Sequence, residues 1–168
     1  MEKFHRLLLD NRRDVVFGSV AILVVIADQL TKLWIRTHLA LGEVLFDAGF
    51  VRILHVQNTG ASFGILTGHT LLIIIAVFIE IVVLLFLVYL LRKRLSFMDS
   101  ALMRVGLGLI FGGGIGNQID RLAMGHVTDF IDFKWWPAFN VADSSAVVGA
   151  IIVAYCIIFL SGLGKRKK

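Results

Sequence analysis

Apolar positions along the chain gather into four long runs, 15–35, 70–91, 101–119 and 141–161, and charged residues are left mostly at their edges. A membrane-crossing helix needs about 20 mostly apolar residues to pass a hydrocarbon layer ~30 Å thick, and each run approaches or exceeds that length. The first carries Asp28 and Lys32 near its end, and the second holds Glu80 as its one charged residue. The third is rich in glycine, and the fourth is almost uninterrupted after Asp143. The first run is too long for the core of a signal peptide and lacks a small-residue cleavage site, so it is expected to remain as an anchor.

Two outer stretches break the pattern. Residues 50–57, FVRILHVQ, alternate imperfectly between turn sequences at 47–49 and 58–60, which predicts a short hairpin or small sheet within 41–66. Residues 127–137 contain Phe130, Phe133, Trp135 and Trp136, a density that predicts an aromatic loop at the headgroup level.

Composition narrows the class. The chain of 168 residues is 58% hydrophobic with mean hydropathy +0.85 and 17% charged residues, whereas globular chains average about 25% charged. A soluble domain and a disordered chain are both excluded, and one cysteine, Cys156, excludes a disulfide framework within one chain. The predicted fold is an all-α integral membrane protein, a single domain over 1–168. It has four transmembrane helices, a small outer-side β hairpin or sheet and an interfacial aromatic loop.

The net charge of +5 becomes informative once located. Lys3, Arg6, Arg12 and Arg13, then Arg92, Lys93 and Arg94, then Lys165, Arg166, Lys167 and Lys168 flank the apolar runs. Such clusters set topology, with both termini cytoplasmic and the segments 36–69 and 120–140 outside. No nucleic-acid reading motif accompanies them, and no nucleic-acid partner is expected.

That orientation brings most of the unusual polar residues to one level near the outer surface. Asp28 and Lys32 lie four apart on one helical face. Asn117, Asp120 and Arg121 end the third run, Asn140 and Asp143 begin the fourth, and Asn58 lies in the hairpin. Plainer readings exist for several. Asp28 and Lys32 fit a structural ion pair, and Asn140 with Asp143 fits a helix capping box. The glycines at 112–114 and 116 fit close helix packing. Asp129 and Asp132 read as ordinary residues of a solvated or interfacial segment, although Asp129 could orient a site. His55 and His126 are isolated, so no metal site or cofactor is expected, and Cys156 reads as a small hydrophobe. Glu80 stands apart at mid-span.

The blocks D28-Q-L-T-K32, N58-T-G-A-S-F63, G112-G-G-I-G-N117-Q-I-D120-R121, V127-T-D-F-I131 and F139-N-V-A-D143-S-S145 occur in this order. Together they resemble the lipoprotein signal peptidases, or type II signal peptidases. GGGIG stands where many members have GGALG, and Gln118 replaces a common apolar residue. The resemblance implies an aspartyl endopeptidase of the bacterial inner membrane that cleaves diacylglyceryl-modified prolipoproteins just before the lipidated cysteine. It implies Asp120 and Asp143 as the catalytic pair, with Asp28, Lys32, Asn58, Gly60, Asn117, Arg121 and Asn140 supporting the site or contacting substrate. It also implies inhibition by the cyclic peptide globomycin; membrane lipid surrounds the chain, and a monomer is expected.

Two carboxylates sharing one proton can supply both the base and the acid that amide hydrolysis needs. Asp143 lies at a predicted helix N-terminus, which favours a carboxylate, and Asp120 at a C-terminus, which does not. The shared proton is therefore expected mainly on Asp120. The alternative from another class is a small proton- or cation-coupled transporter using Asp28, Asp120 and Asp143 as a relay.

Overall fold

The computed structural model describes residues 2–60, 70–92 and 100–160. The side chains of the three basic clusters, the side chain of Glu80 and residues 61–63 of the asparagine block lie outside the described residues. The order is α1 (Glu2–His38), β1 (Val44–Asp47), β2 (Arg52–Asn58), α2 (Thr70–Arg92), α3 (Ala101–Met124), β3 (Val127–Asp132) and α4 (Val141–Tyr155), with a π turn at Cys156–Leu160.

Glycine spacing makes α3 the centre of the helical layer. Gly108, Gly112 and Gly116 recur every four residues and therefore share one face. That face lies against α1: a Cβ at Gly112 would stand 2.7 Å from the Ala21 carbonyl oxygen, and one at Gly116 would stand 2.6 Å from Asp28 Oδ2. Gly106 and Gly113 face α4, where Gly149 returns the approach to the Gly106 carbonyl. Backbones can come this close only where side chains are missing, as is usual between helices in lipid. Met103, Leu107 and Cys156 fill the apolar centre beneath, with Phe17, Leu84, Ile152 and Val153 packed around them.

The third helix runs five residues beyond the predicted 119. Ser100 Oγ accepts the Met103 amide at its start, and Gly125, with φ of 76°, donates its N–H to the Arg121 carbonyl at its end. A left-handed C-cap of this kind is the ordinary place for glycine. Asp120 and Arg121 therefore project from the last turns of a helix.

The predicted hairpin is present as β1 and β2, but its sheet has a third strand. The order is β1-β2-β3, all antiparallel, with Asp47 opposite Arg52, Arg52 opposite Asp132 and Val56 opposite Asp129. This corrects the aromatic-loop reading: Val127–Asp132 is a strand, almost wholly buried. Phe130 packs against Ile35 and Leu39 at the end of α1, which seats the sheet on the helices. In the segment that follows, Trp135 and Trp136 are exposed.

Two helical stretches, Asp14–His38 and Val141–Phe159, are long and apolar enough to cross a membrane, and α2 contains a shorter apolar stretch, Leu71–Leu84. Leu23, Leu30, Leu71, Phe78, Ile151 and Ile158 are each more than half exposed. Apolar surface on that scale suits lipid and not water.

Candidate active site

Alternation by four on α1 builds a buried charged stripe. Asp28 and Lys32 are completely buried and paired at 2.8 Å, and Arg36 follows one turn later. Lys32 Nζ also donates to Asn117 Oδ1 at 2.8 Å and lies 3.4 Å from Asp120 Oδ2. The other Asp28 oxygen accepts the Ala142 amide at 2.9 Å, tying α1 to the first turn of α4. Uncompensated charge would be very costly here, and the pairing offsets part of that cost.

Asp120 shares its helical face with Gly108, Gly112 and Gly116 and so points towards α1. Its Oδ1 accepts from Gln29 Nε2 at 3.1 Å and Arg36 Nη1 at 3.3 Å, and its Oδ2 accepts the Thr128 amide at 3.0 Å. These partners are all donors, so they offer nothing to which a carboxylic proton could be given. The Asp120 carboxylate is thus held by donors alone, with no acceptor among these partners. Nor, among the described residues, does any hydrogen bond or ion pair join Asp120 to Asp143.

The acid that faces Asp143 is Asp129. Both line a cavity of about 270 Å³, together with Asn58, Asn117 and Arg121. Asp129 is 1% exposed. Its Oδ1 accepts from Asn140 Nδ2 at 2.7 Å and its Oδ2 from Asn58 Nδ2 at 3.1 Å. Burial, and next the negative charge of Asp143, push the Asp129 carboxyl up to about 7, against the pull of the two asparagine donors and Lys32. A carboxyl that keeps its proton near neutrality beside a second acid is the arrangement acid–base catalysis requires.

Asn140 and Asp143 do form the predicted capping box. Asn140 Oδ1 accepts the Asp143 amide at 3.0 Å, while Asp143 Oδ2 accepts the Asn140 amide at 3.3 Å. This leaves Asp143 Oδ1 for Asn117 Nδ2 at 2.8 Å, and leaves the Asn140 side-chain Nδ2 to reach Asp129 and Asn117. The cap is thus also the bracket between the two acids. Asn58 folds back to accept the Gly60 amide at 2.9 Å, and Arg121 reaches the Gly60 carbonyl at 3.4 Å, closing the hairpin end over the cavity.

Of the residues singled out by sequence, the structure therefore gathers Asn58, Asn117, Arg121 and Asp143 around one space, with Asn140 buried against Asp129 and Asp143. Asp28, Lys32 and Asp120 form the neighbouring charged support. The sequence reading gave Asp129 only as a residue that could orient a site, and did not single out Gln29, Arg36 and Thr128, which the structure places on Asp120. The spacing 28, 32, 36 on one helix was the available signal for Arg36.

A second cavity, about 280 Å³, meets the first at Asn117, Arg121 and Asp143 and descends between α2 and α3 along Ile73, Val77, Ile81 and Leu84. Its α2 wall runs from Ile73 to Leu84, about 16 Å at 1.5 Å rise per residue. The site is thus a polar chamber opening into an apolar groove.

Residues 20–159 match the family described as signal peptidase (SPase) II. The chain is 43% identical over 139 residues to the lipoprotein signal peptidase of Dehalococcoides mccartyi, covering 83% of this chain and 86% of that one. It is 40% identical over 147 residues to that of Moorella thermoacetica, covering 87% and 95%. A solved bacterial membrane enzyme superposes with a TM-score of 0.72 at 34% identity over 89% of both chains. Another superposes at 0.70 with 32% identity, over 83% of this chain and 90% of that one. These are membrane enzymes, and the transporter alternative gives way to a peptidase. The chain belongs to the signal peptidase II family of aspartic-type peptidases.

Proposed function

We propose that this chain is an intramembrane aspartyl endopeptidase that removes the signal peptide from diacylglyceryl-modified bacterial prolipoproteins, cleaving just before the lipidated cysteine. The observation that carries the reading is the Asp129–Asp143 pair facing one cavity, with Asp129 held up to about 7. The catalytic pair in this reading is Asp129 with Asp143, in place of Asp120 with Asp143.

The chemistry follows from the pair. Asp143 carries the negative charge and takes a proton from water as the water oxygen attacks the scissile carbonyl. Asp129 gives its proton to the carbonyl oxygen, forming a tetrahedral diol. On collapse, Asp143 passes its proton to the leaving nitrogen, the C–N bond breaks, and one diol hydroxyl returns its proton to Asp129. Both acids finish as they began. Asn140, Asn58 and Asn117 hold the carboxyls in place, so little reorganisation is needed at the moment of reaction.

The apolar signal peptide lies along the groove of Ile73, Val77, Ile81 and Leu84, and the scissile bond meets the acids at its upper end. Four helices cross the inner membrane with both termini cytoplasmic and the site near the outer face. The enzyme acts as a monomer. A globomycin-type cyclic peptide competes for the same chamber. Asp28, Lys32 and Asp120 support it from beneath, and Gly60 and Arg121 from its edge.

The test is cleavage of a diacylglyceryl-modified prolipoprotein by purified wild type and by Asp129→Asn, Asp143→Asn and Asp120→Asn. Loss of the general acid or base lowers kcat by about 10²–10⁴, and Asp129→Asn and Asp143→Asn are expected to show it. Asp120→Asn is expected to lose thermal stability and to keep measurable turnover. Full activity in Asp129→Asn overturns the assignment, and an inactive wild type overturns the function.

A further inference from the structure

Beside the polar chamber, on the far side of Asp143 from the signal-peptide groove, lies a third and larger cavity of about 480 Å³. Its walls are almost wholly apolar: Phe133, Trp135, Trp136 and Phe139 from the segment after β3, and Val147 and Val148 from α4. Walking around α4 explains the arrangement. Asp143 and Ala146 face the groove, Asp143 with Ala146 and Val147 face the chamber, and Asp143 with Val147 and Val148 face this third space. Three cavities therefore meet at one carboxylate.

The aromatic wall is anchored. Phe133 and Phe139 stack with centroids 5.7 Å apart, and Phe139 exchanges backbone hydrogen bonds with Ile131 of β3 at 2.9 Å. Lys134 turns the chain with φ of 62°, its amide held by Asp132 and its ammonium by Asp47 at 2.9 Å. On the opposite side the pocket opens past Val147 and Val148, which are 60% and 49% exposed on the lipid-facing surface of α4. A ligand anchored in the bilayer could enter without leaving hydrocarbon.

We propose that this aromatic cavity, walled by Trp135, Trp136, Phe133 and Phe139 against Val147 and Val148, is an acyl-chain subsite that receives one chain of the lipid on the substrate cysteine. The inference rests on the proposed function. In that reading the substrate has three branches at the scissile bond. The apolar signal peptide precedes the bond and fills the groove. What lies beyond the bond on the other side of Asp143 is the modified cysteine, whose apolar part is its lipid. An apolar space of ligand size on that side, continuous with the chamber through Asp143, matches the branch that the groove and the chamber leave unhoused. The polypeptide after the cysteine continues instead towards the opening lined by Gln57, Asn58, Gly60 and Ala138.

The test compares prolipoprotein peptides carrying dipalmitoyl and dibutyryl glyceryl groups. Wild type is expected to prefer the long chains in kcat/KM by at least tenfold. Val148→Trp, which fills the cavity from a half-exposed position, and Trp135→Ala, which removes its rim, are each expected to shrink that ratio about tenfold, through KM for the long-chain substrate. As a second readout, a diazirine at the end of the substrate acyl chain is expected to label 133–148 in Asp143→Asn, which retains uncleaved substrate. An unchanged ratio in both variants, with wild type active, overturns the subsite and leaves the peptidase standing. Labelling confined to α2 overturns it too. Equal labelling by a bulk phospholipid bearing the same diazirine, undiminished by unlabelled substrate, assigns the pocket to bilayer lipid and likewise overturns it. A wild type that cleaves neither peptide overturns the proposed function itself.

Discussion

Asn140 donates to Asp129 at 2.7 Å and, through its side-chain Oδ1, caps α4 by accepting the Asp143 amide. One side chain therefore fixes a helix start and the spacing of two acids. Replacing an N-cap asparagine by alanine costs about 1 kcal/mol, and Asn140→Ala is expected to lose that much. Displacement of a catalytic group by about 1 Å costs ~10² in rate, so kcat/KM should fall by at least that factor. Asn140→Ser separates the effects: serine caps α4 but cannot reach Asp129, so the unfolding midpoint stays near wild type while activity remains low. Thermal unfolding in detergent beside peptide cleavage measures both.

How much of this was legible in sequence depends on faces more than on depth. The basic clusters and the apolar runs brought Asp28, Lys32, Asn117, Asp120, Asn140 and Asp143 to one level, and the capping box of Asn140 with Asp143 was readable from its three-residue spacing. Level alone, however, does not say which way a side chain points. With α3 ended at 119, Asp120 seemed to project from a loose end; because the helix continues to Gly125, Asp120 continues the 108, 112, 116 row and turns to α1. That row was visible in the sequence. Asp129 was harder, since Val127–Asp132 is buried on both faces and carries no clean alternation of polar and apolar positions. Its strand partner, β2, is about 70 residues away in the chain.

The pH profile should carry the mark of Asp129. Its carboxyl is raised by burial and by Asp143 to about 7 in the folded protein, from 3.8 when unperturbed. The neutral form is therefore favoured by folding. Its stabilising contribution is complete below 3.8 and is lost as pH rises through about 7. Since the proposed step needs that proton, kcat/KM is expected to fall tenfold per unit above about pH 7. In Asp143→Asn the nearby negative charge is gone, so Asp129 should titrate lower, while burial still holds it above an ordinary carboxyl. Isotope-edited infrared spectroscopy of the carboxylic C=O stretch reads this without turnover.

Close packing at Gly116 gives a steric prediction. An added Cβ would stand 2.6 Å from Asp28 Oδ2, whereas at Gly114 it would meet only Ile81 Cδ1, at 3.5 Å. Gly116→Ala should displace the Asp28 carboxylate from Lys32 and the Ala142 amide. Overpacking of this kind costs about 1–3 kcal/mol. Gly114→Ala should leave the midpoint within about 0.5 kcal/mol. Thermal unfolding of the two variants side by side decides the point.

The sheet has its own acid sensitivity. For Asp132 burial pushes upward, but its hydrogen bonds from Arg52 and the Lys134 amide, with both cations' charges, outweigh it and hold the carboxyl low. The hydrogen bond from the Lys134 ammonium, and after it the Gly49 amide, hold Asp47 low as well. Depressed carboxyls contribute stability above their unfolded range and lose it as pH falls through their folded values. Protection of the β2–β3 amides against hydrogen exchange should therefore weaken in mild acid, and Asp132→Asn should make it weak at neutral pH while removing its pH dependence.

The buried stripe has a consequence for how the proposed pair is tuned. Asp28 and Asp120 contribute two negative charges, Lys32 and Arg36 two positive ones, and the four are joined by contacts of 2.8–3.4 Å. The cluster sums to zero. It stiffens the floor beneath Asp129 and Asp143, and the pull of Lys32 on the Asp129 carboxyl ranks below burial, the Asp143 charge and the two asparagine donors. Enclosure and mutual repulsion within the pair are then left as the principal controls on proton affinity. In engineering terms, the enzyme has separated its mechanical frame from its proton circuit, so the frame could be redrawn with other balanced charges while the circuit kept its setting.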